Sequence, residues 1–324
     1  MGINELQIRN SQFINRNSLS MRYIFLILIF FSINSRVSAQ QLPHPDSVQM
    51  LIANTAIQLE CTEAMDNLYN FKFKKAESVF HWLERSYPEH PLGYFLMGLS
   101  QWWKIVPNVD NKRYDKSLLA YMDTTILLSK ARLKSEKKET RIEAAFFLSL
   151  AYGFRGRIFS ERKKWTAAAG AGKKALKYIE LASEKSELSP EFLLGDGLYN
   201  YYSVWIPENY KYLRPLLWFF KKGDKDLGIK QLEEVSTHAF YTRTEAQFFL
   251  MRLYANEPKQ GENRSAKVLT LAENLHKKYP DNAYFHRYYA RALYIKGSRT
   301  AELERVCLNI LENIEQKKIG YEAV

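Results

Sequence analysis

Histidine and cysteine are the side chains of this sequence that could supply a metal site or a nucleophile. The six histidines are scattered, with no H-E-x-x-H arrangement and no cysteine at ligand spacing: His44, His81, His90, His238, His276 and His286. Zinc sites need ligands at short, regular spacings, so we predict that the chain holds no metal. The two cysteines, Cys61 and Cys307, lie near opposite ends of the predicted fold. Because a disulfide requires Cα atoms within about 7 Å, we expect two free, buried thiols.

Glycine-rich segments offer the next possible chemistry, the binding of phosphate or a dinucleotide. Residues 169–174 read A-G-A-G-K-K, but a phosphate loop has an earlier glycine and carries Ser or Thr after the lysine. Residues 195–197, G-D-G, lack the third glycine and the preceding strand of a dinucleotide site. No G-x-S-x-G motif is present, and the paired acids Glu233 and Glu234 lie in a segment typical of a solvated helix face. We therefore predict no catalytic residue, no cofactor and no enzymatic activity.

Helices must position whatever functional residues the chain has. From Asp46 onward, apolar residues recur at spacings of three and four, and no alternating strand pattern is present. Proline and glycine interrupt this pattern repeatedly, at points where helices end or begin. The composition, 46% hydrophobic and 14% aromatic, is typical of a chain with a well-buried core. The sequence thus predicts an all-α fold.

Two parts of the chain repeat one another. Tyr87-Pro88-Glu89 recurs as Tyr279-Pro280-Asp281, and a small residue follows each proline by ten positions. Such self-similarity indicates helical repeats of about 34 residues, in which small residues let paired helices cross closely. The predicted structural positions are Ala64, Ala76, Pro88, Gly98, Gly197, Gly228, Pro280 and Ala290. We predict a right-handed superhelical solenoid of about six irregular antiparallel helix pairs, forming one domain over residues 40–324.

The central part of the chain carries a family resemblance. Residues 195–207 read G-D-G-L-Y-N-Y-Y-S-V-W-I-P, and residues 223–232 read G-D-K-D-L-G-I-K-Q-L. With the repeats, this block resembles the tetratricopeptide-repeat superfamily and, within it, a eukaryotic family associated with the mitochondrial outer membrane and lipid-related processes. The matching residues are Gly197, Asn200, Ser203, Pro207, Phe220, Gly223, Asp224, Leu227, Gly228, Gln231 and Leu232. The resemblance implies a helical solenoid with a central insertion and no enzymatic activity.

The same block has a structural interpretation from its residues alone. Gly223 and Asp224 are suited to close one helix and cap the next. Gly228 stands at a small position of a repeat, and we expect Leu227 and Leu232 to face the core. Structural roles therefore account for these residues without a binding site.

The N-terminal segment has the layout of an export signal. Arg22 precedes an apolar run over residues 23–31, and Val37-Ser38-Ala39 ends the segment. A membrane-spanning helix needs about 20 apolar residues, so we predict instead a signal peptide cleaved near Ala39, with Met21 as the start. The protein is expected to be periplasmic or otherwise extracytoplasmic. The cellular roles of the eukaryotic family are not carried over, because its members are not expected to have such a signal.

The charge of the chain bears on its partners. The formal net charge is +12, and it is +9 for residues 40–324, because residues 1–39 hold four Arg and one Glu. A basic surface favours acidic proteins, anionic envelope polymers or membrane surfaces. Export excludes nucleic acid from the expected partners.

Aromatic side chains are the most distinctive feature that remains. Counting from the helix starts that proline defines places ten residues on the concave face of the solenoid: Phe95, Leu99, Trp102, Leu198, Tyr201, Met251, Tyr254, Arg287, Arg291 and Tyr294. From these we predict a partner-binding groove formed by Trp102, Tyr201, Tyr254, Arg287, Arg291 and Tyr294, suited to an extended peptide or a partner helix. The predicted function is an exported, non-catalytic scaffold for protein–protein interaction in the cell envelope. The alternative is a carbohydrate- or lipid-associated binding module of the envelope.

Overall fold

The structure, a computed structural model, describes residues 50–183, 188–211, 214, 221–256, 264–297 and 299–321. The predicted all-α fold is confirmed, because these residues form twelve α-helices and no β-strand. The helices are α1 (Thr55–Tyr69), α2 (Phe73–Ser86), α3 (Pro91–Ile105), α4 (Asp115–Arg132), α5 (Lys138–Glu161), α6 (Trp165–Ser183), α7 (Leu193–Asn209), α8 (Lys225–His238), α9 (Arg243–Asn256), α10 (Arg264–Lys278), α11 (Ala283–Lys296) and α12 (Thr300–Glu315). Short 3₁₀ turns, Leu51–Ala53 and Pro190–Phe192, precede α1 and α7. The predicted leader lies outside the described residues.

Local signals in the sequence set several helix ends. The side chains of Asn54, Asp224 and Asn282 each accept hydrogen bonds from two amides in the first turn of α1, α8 and α11, which satisfies donors that a helix start leaves unpaired. Pro91 occupies the start of α3, where its missing amide hydrogen costs nothing. Gly297 ends α11 with a φ of 63°, a conformation that glycine adopts readily. The predicted capping role of Asp224 is confirmed.

Each helix packs mainly against its neighbours in the sequence. The twelve described helices thus form an array of packed neighbours, as predicted. Connections between helices are mostly short, so the chain doubles back from one helix to the next. Over the described ranges, no helix has both the length and the apolar character that crossing a membrane requires.

The two predicted repeat turns have the same backbone hydrogen bonds. Between α2 and α3, the His90 amide donates to the Tyr87 carbonyl (2.9 Å), and between α10 and α11 the Asn282 amide donates to the Tyr279 carbonyl (3.1 Å). The prolines at 88 and 280 lie inside these turns. In both, the last residue of the turn also caps the next helix with its side chain. The repetition in sequence is therefore a repetition of local structure.

The small residues predicted for the repeats lie where helices pack closely. Ala64 and Ala76 are fully buried, and Ala290 is partly buried against the core. Gly98 on α3 faces α4, where a Cβ would collide with the thioether end of Met122. A side chain at this position would have to displace that of Met122.

A close helix crossing joins α7 and α8. A Cβ on Gly228 would lie 2.7 Å from the Gly197 carbonyl oxygen and as close to one further backbone atom of α7, and a Cβ on Gly197 would lie 2.8 Å from Leu232 Cγ. The Asn200 amide donates to Gln231 Oε1 across the same crossing (2.8 Å). These residues belong to the block that carries the family resemblance, and their contacts are those of helix packing.

Ser203 and the two leucines of that block differ in how they pack. Ser203 Oγ accepts a hydrogen bond from the Gly223 amide (2.9 Å), which fixes the start of α8 against α7. Leu232 is fully buried, but Leu227 is 41% exposed. The prediction that both leucines face the core is therefore wrong for Leu227, which lies in the exposed first turn of α8. Phe220 lies outside the described residues.

The helix array closes on itself, which corrects the expectation of an extended array with distant ends. The Asn282 side chain donates to the Tyr69 carbonyl (2.8 Å), and the Tyr69 and Tyr279 rings lie 5.3 Å apart. Lys72 Nζ lies 3.2 Å from the carboxylate of Asp281. The end of α1 and the turn before α11 are therefore in direct contact.

Trp103 lies at the centre of this closure. Its ring centroid is 5.3 Å from that of Tyr69, 5.8 Å from that of Phe248 and 5.4 Å from that of Phe285. The four rings belong to α1, α3, α9 and α11, and Trp103 is fully buried. Because burial of large rings contributes strongly to packing energy, the odd-numbered helices meet in a shared aromatic core.

Candidate functional site

A cavity of about 80 Å³ lies among four odd-numbered helices and is the candidate functional site. We call it the central cavity. Its lining consists of Phe95 and Leu99 of α3, Ser149, Leu150, Gly153, Phe154 and Arg157 of α5, Leu194, Gly195 and Leu198 of α7, Tyr241 and Thr242 before α9, and Glu245 and Phe249 of α9. Most of these side chains are apolar. The central cavity therefore offers an apolar surface with a few polar groups.

Arg157 and Glu245 are the charged side chains of this lining. They are 3% and 4% exposed. Glu245 accepts hydrogen bonds from Trp103 Nε1 (2.7 Å) and the Tyr69 hydroxyl (3.5 Å), and the Arg157 guanidinium carbon lies 4.0 Å from the centroid of the Trp102 ring. Burial raises the pKa of Glu245, while the positive charge of Arg157 and the two donors act against that rise. The opposite charges of the two buried groups thus offset one another beside an apolar wall.

A second buried carboxylate fixes one edge of the cavity. Glu191 accepts hydrogen bonds from the amides of Phe240, Tyr241 and Thr242 at 2.6 to 2.9 Å, and from the Thr242 hydroxyl at 2.5 Å. Burial raises the pKa of Glu191, and these donors oppose the rise. Because an anion at the start of a helix also interacts well with its dipole, Glu191 holds the segment before α9 in position.

A third buried carboxylate, Glu143, is structural. It accepts from His90 Nε2 (3.0 Å), from the Arg132 guanidinium (3.2 Å) and from the Ile52 amide (2.9 Å). Burial alone would raise its pKa, but these partners together hold the pKa of Glu143 below the ordinary value. Glu143 thereby ties the first described residues to α3, α4 and α5.

The structure corrects part of the predicted groove. Trp102 and Tyr201 are fully buried and Tyr254 is 5% exposed, so these three do not line an open groove. The physical reason is the closure of the array, which brings the inner faces of the odd-numbered helices against one another. Of the residues counted onto the concave face, Phe95, Leu99 and Leu198 do line the central cavity.

The other predicted groove residues lie on α11, away from the central cavity. Arg287 donates to the carbonyl oxygens of Gly320 (2.9 Å) and Pro107 (3.2 Å). Arg291 is exposed beside the Tyr288 ring, and Tyr294 is 63% exposed. A role for these three in binding stays a prediction.

Sequence reasoning missed the polar residues of the cavity. Arg157 lies in α5 between glycine and isoleucine, and Glu191 follows the proline that starts a 3₁₀ turn. α5 also carries Arg155 two positions earlier, so no local signal in the sequence distinguished Arg157 as a buried charge. The positions of Glu191 and Glu245 in the sequence do not predict that they lie near Arg157. Their hydrogen-bond partners are some 50 to 176 positions away in the chain.

A wider depression of about 460 Å³ lies between α4, the end of α5 and the start of α6. Its acidic side chains already have basic partners. Asp115 binds Arg162 (2.6 Å), and Asp123 forms an ion pair with Arg155. Because these charges are paired on an open surface, this depression offers less to a ligand than the central cavity does.

Two histidines are brought together by the fold. The His276 and His286 rings stack with centroids 4.4 Å apart, and His286 Nδ1 hydrogen-bonds the Tyr321 hydroxyl (2.7 Å). Burial, followed by the neighbouring ring of His276, lowers the pKa of His286 to about 4. No cluster of three or more metal-ligating side chains exists in the part of the chain that the structure describes.

The two cysteines differ in their surroundings. Both are free, as predicted, but only Cys61 is buried, and Cys307 is exposed on α12. The prediction of two buried thiols is therefore wrong for Cys307, whose side chain is exposed. Burial raises the pKa of Cys61 to about 11, which makes its thiolate scarce.

Comparison of the chain with protein families, with curated proteins and with solved structures finds no match. The fold and the central cavity are therefore the observations on which a functional proposal rests.

Proposed function

We propose that this protein is a non-catalytic scaffold of the tetratricopeptide-repeat type, a right-handed superhelix that binds a protein partner. The observation that supports this best is the central cavity, formed by α3, α5, α7 and α9. Inner helices of a curved repeat array commonly form its binding surface. The proposal replaces the predicted open groove with this smaller site.

The size of the cavity defines what enters it. Pockets for drug-sized molecules occupy about 300–1,000 Å³, whereas this cavity has about 80 Å³. That volume suits the end of one apolar side chain. Leu150, Phe154 and Leu198 are half-buried and form its accessible wall. A partner would therefore insert a single apolar anchor, of the kind that dominates the energy of many interfaces.

The second candidate function is the binding of a lipid. It is favoured by the apolar lining, which suits the end of an acyl chain as well as a side chain. Binding of carbohydrate has less support, because two aromatic side chains of the predicted groove, Trp102 and Tyr201, are buried and offer no face to a sugar ring. No metal, cofactor or nucleic acid is part of either proposal.

Export to the periplasm or beyond is part of the first proposal. It rests on the sequence of residues 21–39, and the positive charge of residues 40–324 agrees with acidic partners there. Sequencing the N-terminus of the protein isolated from its own cells should find a chain that begins at or near Gln40. A chain that still begins at Met1 or Met21 would remove this part of the proposal.

Filling the central cavity tests the proposed function. Gly153 lines the cavity, and a Cβ there meets no atom within 4 Å, so Gly153→Leu should occupy the site without disturbing the helix packing. Gly170→Leu is the matched control. Gly170 also lies in a helix, and a Cβ there also meets no atom within 4 Å, but Gly170 is exposed and does not line the cavity. The tagged protein and both variants would be used to capture partners at low and high salt, with mass spectrometry of the retained proteins and lipids.

A scaffold should retain one specific protein in wild-type and Gly170→Leu form and lose it in Gly153→Leu form, at both salt concentrations, since apolar burial is weakly screened. Loss of a lipid by the same variant alone would favour the second candidate. Retention of the same protein by all three forms would show that the central cavity is not the binding site.

A further inference from the structure

α12 has apolar side chains both on its packed side and beside it. Its inner side packs Leu303, Val306, Ile310 and Ile314 against the core. Outside that packed side, Leu308 and Leu311 are 59% and 55% exposed. Residues three positions apart are neighbours on a helix surface, so these two leucines form one apolar pair, which we call the outer face of α12.

Apolar positions on a helix surface are normally covered by another element. The described helices leave the outer face of α12 open. The pair is small, which suits the insertion of one or two side chains from another helix rather than a broad interface.

The charges around the two leucines indicate which kind of partner could bind there. Glu304 and Glu315 lie four residues to either side of the leucine pair, on the same face, and both are exposed. α12 holds four Glu and one basic residue, Arg305, in a chain whose net charge is +12. Arg305 lies near Glu302 (3.8 Å), on a different side of the helix. The leucine pair is therefore bracketed by negative charge.

This pattern disfavours a second copy of the chain. If two copies of α12 packed antiparallel with Leu308 against Leu311, Glu304 of each would face Glu315 of the other. In a parallel arrangement each glutamate would face its own equivalent. Like charges placed opposite one another at an interface are unfavourable, so self-association through this face is opposed in either direction.

We propose that the outer face of α12 binds an amphipathic helix of a partner protein, with an apolar stripe flanked by Lys or Arg side chains. Leu308 and Leu311 contact the stripe, and Glu304 and Glu315 pair with the basic flanks. This surface is separate from the central cavity, so its occupancy does not depend on the proposed function, and Gly153→Leu should leave it unchanged.

Cys307 gives a local reporter of binding. It is exposed four residues before Leu311, and so next to it on the helix surface, whereas the other cysteine, Cys61, is buried. The rate of Cys307 alkylation would be measured in the full chain, alone and with a helical peptide of about 18 residues, five turns, built from Leu and Lys. A peptide of equal length built from Leu and Glu is the control. The Leu/Lys peptide should slow alkylation about tenfold at saturation, and the Leu/Glu peptide should not.

Variants make the assignment specific. The double change Leu308→Ser and Leu311→Ser should abolish protection by the Leu/Lys peptide, while Leu127→Ser, at a leucine that is 68% exposed on α4, should not change it. The double change Glu304→Lys and Glu315→Lys should transfer protection to the Leu/Glu peptide.

Three results would overturn the proposal. Protection that survives loss of both leucines would place the peptide elsewhere. Protection of Cys307 that grows with protein concentration in the absence of peptide would indicate a second copy as the occupant. Slow alkylation of Cys307 in the dilute free chain, compared with the unfolded chain, would show that the face is already covered.

Discussion

Replacing Gly228 with alanine tests how closely α7 and α8 must approach. A Cβ there would lie 2.7 Å from two backbone atoms of α7. These atoms are an oxygen and a nitrogen, and contacts of carbon with oxygen between helices lie at about 3.3–3.6 Å, so the helices would have to separate by roughly 0.6 Å. Backbone atoms cannot rotate away as the end of a side chain can, and the added methyl group therefore strains the crossing itself.

The expected change in the free energy of unfolding follows from two opposing effects. Overpacking in a buried site costs about 1–3 kcal/mol, and the better helix propensity of alanine returns up to about 1 kcal/mol. Gly228→Ala should therefore lower the free energy of unfolding by about 1–2 kcal/mol. Gly153→Ala gains the propensity without a collision, because its Cβ position is open, and should raise stability by about 0.5–1 kcal/mol.

Urea unfolding followed by circular dichroism at the helix band would measure both variants, together with Gly197→Ala and Gly98→Ala. The expected order of stability is Gly153→Ala, then Gly98→Ala, then Gly197→Ala, then Gly228→Ala. Gly98 ranks second because its obstacle is the flexible end of Met122. Equal stability of the Gly228 and Gly153 variants would refute the reasoning that the α7–α8 crossing requires a residue without a side chain.

Three further predictions concern buried polar groups and the two thiols. Glu191→Gln should cost about 2–4 kcal/mol in urea unfolding, because the amide and hydroxyl of Thr242 lose their charged acceptor; an unfolding curve that superposes on the wild type would contradict this role. Since the pKa of His286 falls from 6.5 to about 4 on folding, the unfolded chain binds more protons between these values, and stability should fall by up to about 3 kcal/mol as pH drops from 6.5 to 4. His286→Gln should flatten that dependence, and an unchanged slope would assign it to other groups. A thiol reagent should titrate Cys307 alone in the native protein and also Cys61 in urea, so two reactive thiols in the native state would be inconsistent with the buried position of Cys61.

Much of the helical architecture follows from local features of the sequence. Apolar spacing of three and four residues defined the helices, and the caps at Asp224 and Asn282 and the two Tyr-Pro turns act within a few residues of one another. The small residues at 98, 197 and 228 were predictable as close contacts because they fall at the small positions of the helical repeat. Each of these signals is short in range, which is why sequence alone determined them.

The tertiary structure decided where the ends of the array lie and what its inner face offers. The closure depends on small rotations that accumulate over successive helices, and it joins Tyr69 to Glu245 and Asn282 across more than half of the chain. That closure buries Trp102 and Tyr201, which helical counting had placed on an open groove. It also brings Arg157 and Glu245 into the lining of one cavity, which no periodicity in the sequence predicts. The sequence by itself therefore determined an all-helical repeat with its turns, caps and close crossings, because those rest on neighbouring residues. Only the folded chain decided the cavity and the exposed face of α12, because both depend on which distant helices meet and which side of a helix is left uncovered.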